Sequence, residues 1–263
     1  MVVMFMKEVL NECRLCPRNC SVNRNCGDIG YCGAGDKITI AKYYLHKWEE
    51  PCITGKNGSG TIFFTYCNLR CMFCQNYKIS TLNYGIEISV DRFSEICLEL
   101  QDRGATNINL VTPTHFVPLI IDGIRLAKEK ELGIPVVYNS SGYENVDTIR
   151  MLEGIVDVYL PDFKYYSDEY AVKYSKCKDY FRYASTAIDE MVRQKGSCLF
   201  DDDGNIVSGV IVRHLLLPGM EKDSKRILKY LYDKYGDNIY ISIMNQYTPI
   251  KHFKRYQELN QKI

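Results

Sequence analysis

The chain has 263 residues, 46% hydrophobic and 25% charged, enough for one α/β domain of barrel size with a small appendage. Its formal net charge of +1 offers no electrostatic footprint for a polyanion, so nucleic acid is not an expected partner. Met1 to Val9 is apolar but short, without the basic flank or cleavage site of a signal peptide. No later segment approaches the ~20 apolar residues that cross a bilayer, so a soluble, cytoplasmic protein with no membrane partner is expected. Twelve cysteines is many for that compartment, where grouped thiols bind metal more often than they pair.

The first group lies in LNECRLCPRNCSVNRNCGDIGYCGAG, residues 10 to 35. This stretch has too few apolar side chains to fold alone, and a metal would supply the missing core. Cys13, Cys16, Cys20 and Cys32 make a plausible tetrathiolate set, with interleaved glycines permitting the tight turns that aim sulfurs inward. Cys26 is then the odd one out. Structural zinc and an auxiliary 4Fe-4S cluster both fit four thiolates; zinc is the simpler reading because it requires no redox role. We take residues 1–50 as this cysteine-rich segment with its linker, and 51–263 as the main domain.

Residues 37 to 47 alternate as a strand or small hairpin does, and WEEPCITGKNGSG reads as a loop that brings His46, Glu49 and Glu50 to the mouth of a site. An apolar run, 60 to 66, then empties into Cys67, Cys71 and Cys74, spaced C-x3-C-x2-C. Three thiolates on one short loop can hold three corners of a 4Fe-4S cube and leave the fourth iron open to chemistry. Zinc would want a fourth ligand, and the loop contains no histidine.

This spacing, with Phe73 before the third cysteine, resembles the signature of the radical S-adenosylmethionine (SAM) superfamily. CRLCPRNC, GDIGYCG, EEPCITGKNGSGTIFF and CNLRCMFCQNYKIS together resemble a family related to the pyruvate formate-lyase-activating enzyme but carrying an amino-terminal cysteine motif. The resemblance implies that the open iron binds SAM and that cluster reduction splits it to a 5′-deoxyadenosyl radical. It implies adenine contact through the backbone of Phe73 and an external electron donor such as a flavodoxin or ferredoxin.

Beyond the loop the chain alternates in the βαβ manner of a parallel sheet covered by helices. Strands are expected at 60–66, 107–112, 134–138, 156–160, 209–216 and 239–244. Helices are expected at 91–103, 115–131, 143–153, 168–195 with a break, and 222–235. Asp91 and Asp223 stand where N-caps belong. Six βα units make a partial (β/α)6 TIM-like barrel, the form the resemblance implies, with chemistry at the carboxyl ends of the strands. CLFDDDGNIVSG reads as a hairpin with a solvated turn, and the last dozen residues as a surface helix.

The second strand ends in NINLVTPTHF, where the resembled activating enzymes carry a Gly-Gly-Glu stretch for the SAM amino group. Here Thr112 and Thr114 are the expected acceptors in its place, and His115 is either a proton donor or a first-turn helix residue. Asn139 and Ser141, ending the third strand, suit ribose hydroxyls or the SAM carboxylate, or simply cap the next helix. Asp162 and Lys164 end the fourth strand on one side of an extended run and resemble the D-x-K pair of glycyl-radical activating enzymes. Arg213, in an apolar fifth strand, needs an anion; Lys164 and Arg213 are both expected to pair with a carboxylate of SAM or substrate. His214 should face the helices. Asn245, near Gln246 and Tyr247, is expected to read adenine or substrate, with Met244 in the core. Cys97 and Cys177 read as buried hydrophobes, while Cys52 and Cys198 stay open.

The expected protein is a radical SAM oxidoreductase abstracting a hydrogen atom from its substrate, which is either a glycyl radical enzyme or a small metabolite or peptide. The rival from another class is an iron-sulfur electron-transfer protein that never meets SAM.

Overall fold

Six of the apolar runs pair side by side and in parallel, and around them the chain folds in sequence order. The computed structural model describes residues 7–263; the apolar opening Met1 to Met6 lies outside the described residues. The elements are β1 (Ile38–His46), α1 (Pro51–Thr54), β2 (Ser59–Phe64), α2 (Tyr77–Ser80), β3 (Ile86–Ile88), α3 (Val90–Asp102), β4 (Ile108–Val111), α4 (Val117–Glu129), β5 (Val136–Ser140), α5 (Val146–Met151) and β6 (Val158–Pro161). There follow α6 (Asp168–Ser175), α7 (Tyr180–Lys195), β7 (Leu199–Phe200), β8 (Ile206–Leu215), α8 (Glu221–Tyr235) and β9 (Tyr240–Met244). Strands β2, β4, β5, β6, β8 and β9 run parallel in that order, with β1 antiparallel to β2 and β3 beyond it. Among the described residues β9 pairs with β8 alone, so the sheet curls into a partial barrel without closing.

The pleat divides the strand residues between two interiors. Ile62, Leu110, Tyr138 and Tyr159 form one row across four strands and are buried in the main core. On the opposite face Val137, Val158, Leu160 and Ile211 gather with Ile53 of α1 into a second, smaller cluster. Thus the stretch read as a plain loop contains one helical turn that plugs the base of the barrel. Asn107 Nδ2 holds it by donating to the Ile53 carbonyl (2.6 Å). Cys52, itself part of that turn, and Cys198 pack against this second cluster.

Other differences are local. Ser89, not Asp91, caps α3, its hydroxyl accepting from the Arg92 N–H. Asp223 lies inside the first turn of α8 and instead accepts the N–H groups of Tyr166 and Ser167. The carboxyl tail is not a surface helix: beyond one 3-10 turn it is anchored by buried Phe253 and Leu259, and Tyr247 donates to the Leu259 carbonyl. β1 is a full member of the sheet, so a boundary at residue 50 falls between β1 and α1.

Gly142 closes the turn after β5 with φ +75°, and a Cβ there would lie 2.1 Å from the Asp162 carbonyl oxygen. Gly142→Ala should therefore destabilise the fold by at least about 2 kcal/mol, read as a fall of several degrees in the thermal midpoint. An unchanged midpoint would mean that the two strand ends approach less closely than described.

Candidate active site

β2 is buried along its whole length and delivers the chain to the cysteine loop at its carboxyl end. The turn is sharp: Tyr66 and Arg70 adopt φ of 76° and 57°, values a non-glycine residue holds only when its surroundings impose them. Thr65 donates its hydroxyl to Tyr84, and the Met72 N–H donates to the Tyr174 carbonyl at the end of α6 (2.9 Å). Each thiol of the loop has a hydrogen-bond donor. Cys67 Sγ accepts from the Leu69 N–H (3.4 Å), Cys71 Sγ from Ser175 Oγ (2.8 Å) and Cys74 Sγ from Ser80 Oγ (3.5 Å).

The three sulfurs line a cavity of about 250 Å³ together with Phe73, Thr112, Asn139, Ser141, Asp162, Lys164 and Arg213. Burial pushes the Cys71 thiol up to about 12, against the pull of the Lys164 ammonium, and burial likewise raises Cys67. Thiols in such a place ionise when a metal cation binds them. No three His, Cys, Asp or Glu side chains among the described residues converge on a single ion. A part-buried, donor-supported set of three thiols on a cavity wall fits a multi-iron cluster, which spreads its ligands over separate irons.

Four charged side chains meet at the ends of β6 and β8. Lys164 Nζ donates to Asp162 Oδ2 (2.5 Å) and Arg213 Nε to Asp162 Oδ1 (3.0 Å). Arg213 also bonds Asn139 Oδ1 through Nη2 (2.6 Å) and Glu49 Oε2 through Nη1 (3.3 Å). Burial alone would raise the Asp162 carboxyl, but the Arg213 and Lys164 charges hold it below its ordinary value. Burial opposes the charge on Lys164, and Asp162 more than restores it. Glu49 is raised by burial, with Arg213 pulling it back.

This differs in one respect from the sequence expectation. Both cations were assigned to an external carboxylate, yet every nitrogen of the Arg213 guanidinium already has a partner within the chain. Lys164 uses one of its three donors and keeps the others for a ligand.

The remaining expected residues divide between the cavity and the packed interior. Thr112 (φ 61°) lines the cavity, as does Ser141, whose hydroxyl donates to Asn68 Oδ1 (3.2 Å). Thr114 is not brought to it: its hydroxyl is buried and donates to Glu144 Oε1 (2.7 Å). Asn245 is exposed and off the cavity wall, while its neighbours Met244, Gln246 and Tyr247 line it, the chain leaving the strand after Met244. Met244 thus faces the site rather than the core. His115 is buried with Nε2 on the Thr65 carbonyl (2.7 Å), and burial lowers it to about 3; it is a neutral packing residue. His214 faces the helices, bonded to the Phe163 carbonyl and Ser224 Oγ. Sequence reasoning missed Ser175 and Ser80 as thiol donors: nothing local marks a serine that meets Cys71 across 104 positions, and Ser80, only six residues past Cys74, is turned back to it by the short helix that follows the loop.

The amino-terminal segment packs against the outside of the cysteine loop. Arg18 Nε donates to the Asn68 carbonyl (2.9 Å), Tyr31 OH to the Leu69 carbonyl (3.4 Å), and Arg70 Nη2 to the Cys32 carbonyl (3.1 Å). Cys97 and Cys177 are fully buried, as small hydrophobes are.

A partial parallel barrel with a three-cysteine loop after its first parallel strand defines a cluster-binding enzyme class. The family model of the Radical SAM superfamily matches residues 61–231, and the chain belongs to that family. Membership implies a 4Fe-4S cluster and SAM as cofactors. An uncharacterized protein of Methanocaldococcus jannaschii is 30% identical over 271 residues, covering 99% of this chain and 73% of that protein. Among solved structures, methylornithine synthase is similar with a TM-score of 0.45 and 16% identity over 68% of this chain and 50% of that one. HydG, a maturase of the FeFe-hydrogenase, gives 0.49 and 16% over 70% and 42%. The enzyme anSMEcpe with bound AdoMet gives 0.48 and 11% over 78% and 54%. The chain spans about half the length of these solved structures. No helix among the described residues is long and apolar enough to cross a membrane.

Glu144, which holds Thr114 away from the site, is wholly buried, and burial raises its carboxyl to about 8 against an ordinary 4.5. Between those values the folded chain keeps a proton that the unfolded chain has lost, so this group lowers stability as pH rises. Glu144→Gln should remove the effect: its thermal midpoint should exceed that of the wild type at pH 8, with the gap closing towards pH 5. The stabilisation at pH 8 should be on the order of a few kcal/mol. A pH-independent gap would exclude titration of Glu144 as its cause.

Proposed function

We propose that the protein reductively cleaves SAM at a 4Fe-4S cluster held by Cys67, Cys71 and Cys74, giving a 5′-deoxyadenosyl radical that abstracts a hydrogen atom from its substrate. The observation that carries this reading is the shared cavity: three part-buried thiols and the spare donors of Lys164 face one space at the carboxyl ends of parallel strands. Lys164 pairs with the SAM carboxylate, and Phe73 offers backbone groups to adenine. Thr112, Ser141 and Asn139 supply short polar contacts. Arg213 orients Asp162 and Asn139, and Asp162 in turn aims the Lys164 ammonium. The packed walls exclude water from the radical. An external one-electron donor of the flavodoxin or ferredoxin kind supplies the electron in the cytoplasm.

For the substrate we favour a partner protein that receives a glycyl radical. The activating-enzyme-like motifs support this, as do Leu82, Tyr84 and Ile86, apolar and exposed just beyond the cysteine loop. A small metabolite or peptide is the competing substrate. Cys13, Cys16, Cys20 and Cys32 belong to a second metal centre, zinc or a second cluster, in a cysteine-rich segment spanning residues 1–50 ahead of the 51–263 barrel.

Anaerobic protein mixed with SAM and dithionite should release 5′-deoxyadenosine, and Cys71→Ala should lower that rate by about a hundredfold or more. Lys164→Met should weaken SAM binding by about ten- to a hundredfold while leaving the iron content of the barrel cluster intact. Full SAM cleavage by Cys71→Ala would refute the cluster assignment. No cleavage by iron-replete wild type would favour the electron-transfer rival.

A further inference from the structure

One arginine of the amino-terminal segment grips the cluster site by its backbone. Arg18 is half-buried between Cys16 and Cys20, and each nitrogen of its guanidinium donates to a carbonyl outside the segment. Nε reaches Asn68 (2.9 Å), Nη1 reaches Lys176 (2.6 Å) and Nη2 reaches Ser175 (3.4 Å). Asn68 directly follows Cys67, while Ser175 ends α6 and Lys176 caps it with φ 52°. The last carbonyls of a helix have no partner within it and carry the negative end of its dipole, so a guanidinium is suited to cover them. Its planar fork also fixes the acceptors relative to one another, which an ammonium does not.

The guanidinium is itself held in place. Its Cζ lies 3.8 Å from the ring centroid of Tyr31, whose hydroxyl donates to the Leu69 carbonyl (3.4 Å). Asn68 Nδ2 donates to the Tyr143 carbonyl (2.7 Å), and the Tyr143 ring lies 5.5 Å from the same Cζ. The cluster loop meets the end of α6 directly at the Met72 N–H, which donates to the Tyr174 carbonyl (2.9 Å). One point of attachment leaves a rotation free. Arg18 adds the second point.

The two attachments together set a hydrogen bond to a cluster ligand. Ser175 is fully buried, and its Oγ donates to Cys71 Sγ (2.8 Å). With the serine proton committed to sulfur, Tyr165 OH is the donor in its own bond to Ser175 Oγ (2.6 Å). Hydrogen bonds to the sulfurs of a cluster favour its more negative, reduced state and so raise its potential.

We propose that Arg18 is a positioning residue for the barrel cluster: by clamping the Asn68 carbonyl to the end of α6 it holds Ser175 on Cys71, and so raises the potential at which the cluster takes up its electron. The inference rests on the cluster and SAM reading above and needs no metal in the amino-terminal segment.

The test is a redox titration of the anaerobically reconstituted full chain, following the paramagnetic resonance signal of the reduced cluster that changes when SAM is added. Arg18→Gln and Ser175→Ala should each lower the reduced fraction at a fixed potential by about three- to tenfold, with the iron content unchanged. The double variant should fall no further than either single one, because both remove the same hydrogen bond. Arg18→Lys keeps the charge but loses the fork, and it should behave as Arg18→Gln does. A wild-type potential in Arg18→Lys, or additive shifts in the double variant, would assign the effect to charge alone and overturn the clamp. Arg18 variants that lose thermal stability without any shift in potential would make it a packing residue and overturn the clamp equally. A wild type with no SAM-responsive signal would overturn the SAM reading and the inference with it, whereas a responsive wild type with unshifted variants overturns the inference only.

Discussion

Two largely buried cations and two largely buried carboxylates must neutralise one another, and the upper end of the barrel is arranged to let them. Asp162 accepts from both Lys164 and Arg213, while Arg213 reaches on to Glu49 and Asn139. Isolated in a low-dielectric interior, any one of these charges would be strongly disfavoured; together they fix each other's geometry. The network ties β5, β6 and β8 to the plug at the base, since Glu49 immediately precedes the residue capping α1. A residue of the linker thereby helps set the position of a lysine in the active site.

The arrangement divides labour within the site. Arg213 is saturated and acts through Asp162, whereas Lys164 holds donors in reserve beside the thiols. The amino-terminal segment differs: there Arg24 is buried against the carbonyls of Gly35 and His115 and the Cys13 thiol, with no carboxylate beside it among the described residues. Both regions converge on the cysteine loop, one from inside the barrel and one from outside.

Much of this was legible in the residue order, for identifiable reasons. The six parallel strands declare themselves as short apolar runs between helical patterns, because strands covered on both faces have no polar side to alternate with. The cysteine loop is legible because its ligands are close in sequence. Thr114 and Asn245 were misplaced because both lie past the last residue of their strands, Thr114 in a 3-10 turn, where a period-two reading no longer applies. Asp223 was read as a cap, yet its carboxylate accepts backbone donors from a loop more than fifty residues away.

By itself, the sequence determined the class of the protein: the thiol spacing, the alternation of strands and helices, and the pair of charges flanking Phe163 all reside in local order. Only the tertiary structure decided which partner each charge takes. Arg213 meets Glu49 across 164 positions, and Cys71 meets Ser175 across 104. Pairings at that separation are set by the curling of the sheet and the docking of the amino-terminal segment, and no local pattern encodes them.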